Sequence, residues 1–150
     1  MATRKIVKDP DEILRKKSKP VEKFDDRLFL LLDDMKDTLY EANGAGLAAV
    51  QIGVLRRVVV IDVGEGLIEL INPAIVDKSG IQDDLEACLS CPDINGRVKR
   101  PMWVKVVAKD RNGNDITVEG EELMARALCH ELDHLDGILF KDLAEEINHV

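Results

Sequence analysis

The chain has 150 residues, 45% of them hydrophobic, and we expect residues 1–150 to form a single domain with one core. Its formal net charge of −8 at pH 7 argues against a specific nucleic-acid partner, because phosphate contacts need clustered lysine and arginine. No run approaches the roughly 20 apolar residues of a membrane span, and the N-terminus lacks the apolar region of a signal peptide, so we expect a cytoplasmic protein with no membrane partner.

The first strongly periodic segment predicts a helix from about Asp26 to Ala42, with Asp25 or Asp26 at its start. Gly44 would be the left-handed residue that ends this helix. The Gly-x-Gly that follows is not a phosphate-binding loop, because it lacks a third glycine and a preceding strand. Apolar residues recur at helical spacing along the segment: Leu28, Leu31, Leu32, Met35 and Leu39.

The middle of the chain has the pattern of β-strands. Residues 57–62 and 67–71 are aliphatic or β-branched runs, and residues 104–109 alternate in polarity. Asn112-Gly113 predicts a hairpin turn into a strand at 116–118. These elements predict an α+β fold, with antiparallel or mixed β-sheets packed around a central helix near the C-terminus.

That helix carries the H-E-x-x-H pattern of a divalent-metal site. His130 and His134 are four residues apart, so both rings lie on one helix face and can reach the same ion. Such an ion lowers the pKa of a bound water to around 7, and Glu131 is placed to take up the released proton. Leu123 and Ala127 continue the face that carries the histidines and predict that it points inward.

A third metal ligand is needed, and the residues alone leave its identity open. Cys88 is the better candidate, because a thiolate binds a soft or borderline divalent ion well and a Cys-His-His set leaves a fourth position for water. Cys91 forms a C-x-x-C pair with it, but no second pair follows. Candidates downstream of the helix pattern are Asp136, Asp142, Glu145, Glu146 and His149.

Three segments resemble, in order and approximate spacing, the signature motifs of the peptide deformylases. They are GAGLAAVQ at 44–51, EACLS at 86–90 and HELDH at 130–134. The similarity extends to Asn72-Pro73 and to the Leu-Asp-Gly at 135–137, and so covers most of the chain. The resemblance implies a single deformylase-like catalytic domain of bacterial type, a metal-dependent hydrolase built around the H-E-x-x-H helix.

What the resemblance implies for function is hydrolysis of the N-formyl group from the formyl-methionine of newly synthesised polypeptides, releasing formate. Cys88, His130 and His134 would be the metal ligands, and Glu131 the general base and acid. The side-chain amide of Gln51 and the backbone N–H of Leu89 would stabilise the oxyanion. The substrate-binding residues would be Gly44, Ala45, Gly46, Ala87, Leu123, Arg126 and Ala127.

The resemblance also implies one divalent metal ion per chain, Fe²⁺ in the cell, with Ni²⁺, Co²⁺ or Zn²⁺ able to substitute. The partners it implies are formyl-methionyl nascent peptides and, transiently, the ribosome. The chain departs from the family at two positions, with Ala87 where glycine is usual and Val50 where proline or threonine is usual. A positive φ at position 87 would disfavour alanine, whereas extended backbone would tolerate it.

Two other functions stay open. A zinc endopeptidase would share the helix pattern but take its third ligand from downstream of His134. A non-catalytic metal-binding or redox module would use Cys88, Cys91 and the histidines, and a closed site of four protein ligands would leave no position for water.

Overall fold

The computed structural model describes residues 2–150. Its helices are two 3-10 turns and three α-helices: Glu12–Arg15, α1 (Asp26–Glu41), Ala49–Ile52, α2 (Leu123–Leu135) and α3 (Phe140–Leu143). Its strands are β1 (Gly46–Ala48), β2 (Val58–Ile61), β3 (Ile68–Ser79), β4 (Gln82–Cys88), β5 (Cys91–Arg100), β6 (Trp103–Lys109), β7 (Asp115–Glu121) and β8 (Glu146–His149).

The strands form two antiparallel sheets. The larger sheet has the order β1-β2-β3-β6-β7, and the smaller has the order β4-β5-β8. Helix α2 lies against the larger sheet, in contact with β1, β2 and β7, and also reaches β5 of the smaller sheet. The predicted α+β fold with antiparallel sheets around the H-E-x-x-H helix is therefore confirmed.

The larger sheet is covered on both faces. In β2, Val59 and Ile61 pack with the apolar side of α2, while Val58 and Val60 pack with the leucines of α1. Successive side chains of a strand point to opposite faces, so one continuous apolar strand serves both cores. A third cluster, formed by Leu14, Cys88, Cys91, Val98, Leu139 and Phe140, joins the smaller sheet to α3. Helix α2 is thereby held between the two sheets.

The boundaries of α1 follow its capping residues. Asp25 is the N-cap, and its carboxylate accepts the N–H of Leu28. At the other end Asn43, not Gly44, is the left-handed residue, with φ 54°. Asn43 N–H donates to Tyr40 and Gly44 N–H donates to Leu39, the paired bonds of a Schellman motif. The prediction that Gly44 ends the helix was wrong by one residue, because the short polar side chain of asparagine tolerates this conformation.

The structure also changes the predicted strand boundaries and one turn. Strand β3 runs on to Ser79, although Asn72 has a positive φ of 52°; its side chain bonds the backbone N–H and carbonyl of Val21. The predicted Asn112-Gly113 hairpin is a longer loop of residues 110–114, in which the Asp110 carboxylate accepts two backbone N–H groups.

Among the described residues, none of the helices combines the length and apolar character required to cross a bilayer.

Candidate active site

Helix α2 places both predicted histidines in the interior. His130 and His134 are buried and lie one turn apart, near the C-terminal end of the helix. Ala127 is buried on the same side, as predicted, but Leu123 is 56% exposed. Leu123 is the first residue of α2, and the prediction that it points inward was wrong. It lines a cleft that Ala127 and His130 also line.

Three potential metal ligands converge at this point. The Nε2 atoms of His130 and His134 are 3.3 Å apart, and Cys88 Sγ is 3.4 Å from His134 Nε2. The ligand atoms of these residues all lie within 4.8 Å of one another. Two nitrogens that each lie about 2.05 Å from a tetrahedral ion stand about 3.3 Å apart, so the observed spacing suits one shared ion.

The chemistry of the three residues also fits a divalent metal. Burial lowers the pKa of His134 to about 3, and its imidazole is therefore neutral and able to coordinate at pH 7. The neighbouring Cys91 and burial both raise the pKa of the Cys88 thiol, and a bound cation would oppose this by favouring the thiolate. A site with one thiolate and two imidazoles leaves a fourth position for water.

A buried ionic network fixes the orientation of His130. Glu86 Oε1 lies 2.7 Å from His130 Nδ1, so the Nδ1 proton is donated to the carboxylate and the Nε2 lone pair is free to face the other candidate ligands. Arg100 donates two bonds to the same carboxylate, at 2.7 and 2.9 Å, and Arg126 donates a third at 2.5 Å. Arg100 also binds Asp133 of α2. The network therefore ties α2 to both strands of the β4–β5 hairpin.

Sequence reasoning assigned no role to Glu86 or Arg100. Burial by itself raises the pKa of Glu86, but hydrogen bonds and charge from Arg100 and His130 outweigh it and lower the pKa to about 2. The carboxylate is thus ionised at neutral pH although its side chain is buried. The sequence signal that could have indicated a role is the position of Glu86 at the start of the second motif, two residues before the candidate ligand Cys88. Its arginine partner is 14 residues away and has no local signature.

Glu131 lies beside the candidate ligands, and no side chain donates a hydrogen bond to its Oε1 atom. The residue is buried, and its Oε2 atom lies 4.0 Å from His130 Nε2. Burial raises the pKa of its carboxyl group to about 7. A carboxyl group that titrates near neutral pH can both accept and donate a proton under physiological conditions.

The absence of a side chain at Gly46 makes room for Glu131. A Cβ atom built on Gly46 would lie 2.5 Å from Glu131 Oε2 and 2.8 Å from its Cγ. Gly46 begins β1, so the first strand of the larger sheet passes directly over the carboxylate. Glycine is needed here because of this close approach and not because of its backbone conformation, since its φ lies outside the left-handed region.

Both predicted oxyanion residues, Gln51 and Leu89, lie next to Cys88. Gln51 is buried in the 3-10 turn after β1; its amide nitrogen is 3.1 Å from Ser90 Oγ and 3.6 Å from Cys88 Sγ, and its Oε1 accepts the N–H of Ala48. That bond to Ala48 fixes which end of the amide faces the site. Leu89 follows Cys88 in the turn between β4 and β5.

A cleft of about 630 Å³ opens onto these groups. Gln51, Leu89 and Glu131 line it, as do Cys88 and His130, whereas His134 lies behind them and is fully buried. Two residues of the N-terminal segment, Ile6 and Lys8, also line the cleft and were not predicted. The wall includes all of the predicted substrate-binding residues: Gly44, Ala45, Gly46, Ala87, Leu123, Arg126 and Ala127.

The two departures from the family pattern are accommodated. Ala87 lies in β4 and is not among the residues with positive φ, so a Cβ atom causes no backbone strain there. Val50 is buried in the 3-10 turn Ala49–Ile52 and packs with the core between α2 and the larger sheet.

Comparisons with known proteins agree with this geometry. The family profile described as polypeptide deformylase matches residues 3–149. The chain is 65% identical to a peptide deformylase of Caldicellulosiruptor bescii, over 95% of this chain and 86% of that one. It superposes on the crystal structure of a peptide deformylase from Legionella pneumophila with a TM-score of 0.93 and 47% identity, over 96% of this chain and 87% of that one.

A second solved structure is a peptide deformylase from Synechococcus elongatus in complex with actinonin. The TM-score is 0.91 at 38% identity, and the match covers 94% of this chain and 78% of that one. The chain therefore belongs to the polypeptide deformylase family, the metal-dependent hydrolases that remove the N-formyl group from newly synthesised polypeptides.

Proposed function

We propose that Cys88, His130 and His134 hold the one divalent metal ion on which deformylation depends, and that Glu131 is the general base and acid. The observation that carries this proposal is the convergence of three ligand atoms within 4.8 Å, beside a buried carboxylate whose Oε1 has no partner. When bound, the ion supplies a Lewis acid and makes water a better nucleophile at neutral pH.

The residues of the chain then divide the reaction between them. Glu131 accepts a proton from the attacking water, whose oxygen forms a bond to the formyl carbon. As negative charge develops on the formyl oxygen, the amide of Gln51 and the N–H of Leu89 donate hydrogen bonds to it, each worth about 2.7–4 kcal/mol in comparable sites. Glu131 returns the proton to the amine nitrogen as the C–N bond breaks, and formate and a free N-terminus are released.

The cleft wall suggests how the substrate is held. We propose that an extended formyl-methionyl peptide lies between Gly44, Ala45 and Gly46 on one side and Ala87 on the other. The methionine side chain would lie against Leu123 and Ala127, beside the aliphatic part of Arg126. In support of this, the cleft wall is predominantly apolar, and the Arg126 guanidinium is turned towards Glu86.

The proposals for the metal and for the cellular setting rest on what is typical of the deformylase family. We propose Fe²⁺ in the cell, with Ni²⁺, Co²⁺ or Zn²⁺ as substitutes, because a mixed thiolate and imidazole site accepts several such ions. Residues 1–150 would act as one catalytic domain in the cytoplasm. Transient ribosome contact would bring the enzyme to its nascent substrates.

Neither alternative function gains support from the described residues. Among the described residues, the group of converging ligand atoms comprises Cys88, His130 and His134, and neither Cys91 nor any candidate downstream of His134 belongs to it. This supports a site of three protein ligands over either alternative.

The test is formate release from a formyl-methionyl tripeptide by protein purified without oxygen and loaded with Fe²⁺, Ni²⁺ or Zn²⁺. Glu131→Gln should keep its metal and lose about 10²–10⁴-fold in kcat. Cys88→Ala should lose the metal. The matched control is Glu145→Gln, at an exposed carboxylate, which should leave both unchanged. Full turnover by Glu131→Gln, or tight metal binding by Cys88→Ala, would overturn the proposed roles.

A further inference from the structure

A second cysteine lies directly opposite Cys88. Cys88 ends β4, Cys91 begins β5, and their Cα atoms are register partners in this antiparallel pair. The regular register is interrupted after Ala87, and the two cysteines flank the two-residue turn Leu89-Ser90. The first and last residues of a β-turn have Cα atoms less than about 7 Å apart, which overlaps the roughly 4.4–6.8 Å that a disulfide bond spans.

The surroundings of the two thiols favour reaction with each other. Both are free and buried, and both belong to the core cluster between the smaller sheet and α3. Cys88 lines the cleft, whereas Cys91 does not, so a small oxidant that enters the cleft meets Cys88 first. Cys129, the third cysteine, packs in a different cluster against the larger sheet.

We propose that Cys91 is a resolving thiol that captures oxidised Cys88 as an intramolecular disulfide. A peroxide oxidises the Cys88 thiol to a sulfenic acid and is itself reduced, with release of one water or alcohol. The Cys91 sulfur then attacks the Cys88 sulfur, so that the S–S bond forms and the S–O bond breaks. The hydroxyl group leaves with the Cys91 proton as a second water. The two thiols lose two electrons in total, and the peroxide gains them.

The disulfide makes the loss of activity reversible, whereas further oxidation of Cys88 would make it permanent. A disulfide sulfur is not a thiolate and is a poor metal ligand, so the oxidised chain releases its ion; this step rests on the proposed metal site. A dithiol reductant restores both thiols. Without a resolving partner, a sulfenic acid proceeds under excess peroxide to sulfinic and sulfonic acids, which such reductants do not reverse.

The experiment treats Ni²⁺-loaded protein with hydrogen peroxide and follows three quantities. Intact mass and peptide mapping under non-reducing conditions report the covalent change, metal analysis reports the retained ion, and formate release is measured before and after dithiothreitol. The variants are Cys91→Ala and, as the matched control at another buried cysteine, Cys129→Ala. Cys91→Ser is a second variant with a side chain of similar size, in case the first is unstable.

In the wild type and Cys129→Ala, the peptide that contains residues 88 and 91 should lose two hydrogens. Both proteins should release the ion on oxidation and regain turnover with dithiothreitol. Cys91→Ala and Cys91→Ser should instead gain oxygen atoms on Cys88 and stay inactive. Oxygen addition to Cys88 in the wild type, or a disulfide that involves Cys129 or a second chain, would overturn the proposal. Protein that binds no ion before oxidation would refute the metal site alone, because the mass change tests the disulfide independently.

Discussion

Replacing Glu86 by glutamine should reveal how strongly the buried network stabilises the fold. The carboxylate accepts two bonds from Arg100, one from Arg126 and one from His130, all with partners that are themselves buried. Glutamine has nearly the same shape, but its NH₂ group cannot accept a bond, and its neutral side chain leaves Arg126 without its carboxylate partner and Arg100 with Asp133 alone. Removing one member of a buried ion pair costs about 3–5 kcal/mol.

The pKa of Glu86 gives a second measure of the same quantity. A fall from the ordinary 4.5 to about 2 corresponds to about 3 kcal/mol, at about 1.4 kcal/mol per pH unit. Because the folded-state pKa lies below the unfolded-state value, the stabilisation is complete above about pH 5 and is lost as the pH falls towards 2. The two measures agree, and the loss is a large part of the roughly 5–15 kcal/mol that keeps a domain folded.

The assay is urea unfolding of the wild type and Glu86→Gln with a chelator present, so that metal binding does not contribute. We expect a difference of about 3 kcal/mol at pH 7 that shrinks below pH 4.5. In separate titrations the variant should bind metal about 10–100-fold more weakly, because His130 loses the acceptor that orients it. Asp115→Asn, which removes an exposed ion pair with Lys109, is the control and should not change the unfolding free energy. A loss below about 1 kcal/mol, or a loss independent of pH, would refute this account of the network.

Three further changes test other parts of the structure. Gly46→Ala should displace the Glu131 carboxylate and reduce kcat by about 10²-fold with unchanged metal content, measured by formate release. Gln51→Leu should reduce kcat by about 10²–10³-fold with little effect on KM; a change confined to KM would contradict an oxyanion role. Gly137→Ala should destabilise more than Gly53→Ala in thermal unfolding, because both have positive φ but only at Gly137 would a Cβ meet backbone, at 2.4 Å. Gly53→Ala, at the open position, should lower the free energy of unfolding by about 1–2 kcal/mol. Equal losses in the two variants would rule out a contribution from the clash at Gly137.

Local pattern was sufficient to predict the two longer helices, α1 and α2. The apolar spacing and the N-cap aspartate placed α1 within one residue of its observed end, and the H-E-x-x-H pattern placed both histidines of α2 on one buried face. Val104, Val106 and Ala108 are buried in β6 as their alternation predicts. In these segments the period of the side chains is enough, because each element buries one defined face.

Elements that depend on distant pairing were not predictable in the same way. Strands β4 and β5 have many charged residues and little alternation, and they exist because they pair with each other. Strand β8, in which every residue is exposed, is defined by its bonds to β5, which join residues about 50 positions apart. The Glu86 network has the same origin, since Arg100 reaches the carboxylate through the pairing of β4 with β5, and His130 reaches it only after that hairpin has packed on α2.

The placement of the three proposed ligands on different parts of the fold has a mechanical consequence. Cys88 belongs to the smaller sheet, whereas His130 and His134 belong to the helix on the larger one, and Cys88 and His134 are 46 residues apart in the chain. An ion held by all three is a cross-link that closes a long loop, so the free energy of binding it also opposes separation of the sheets. In a cell short of metal, the chain would therefore be inactive, and its two sheets would separate more easily. It would then be more accessible to proteases.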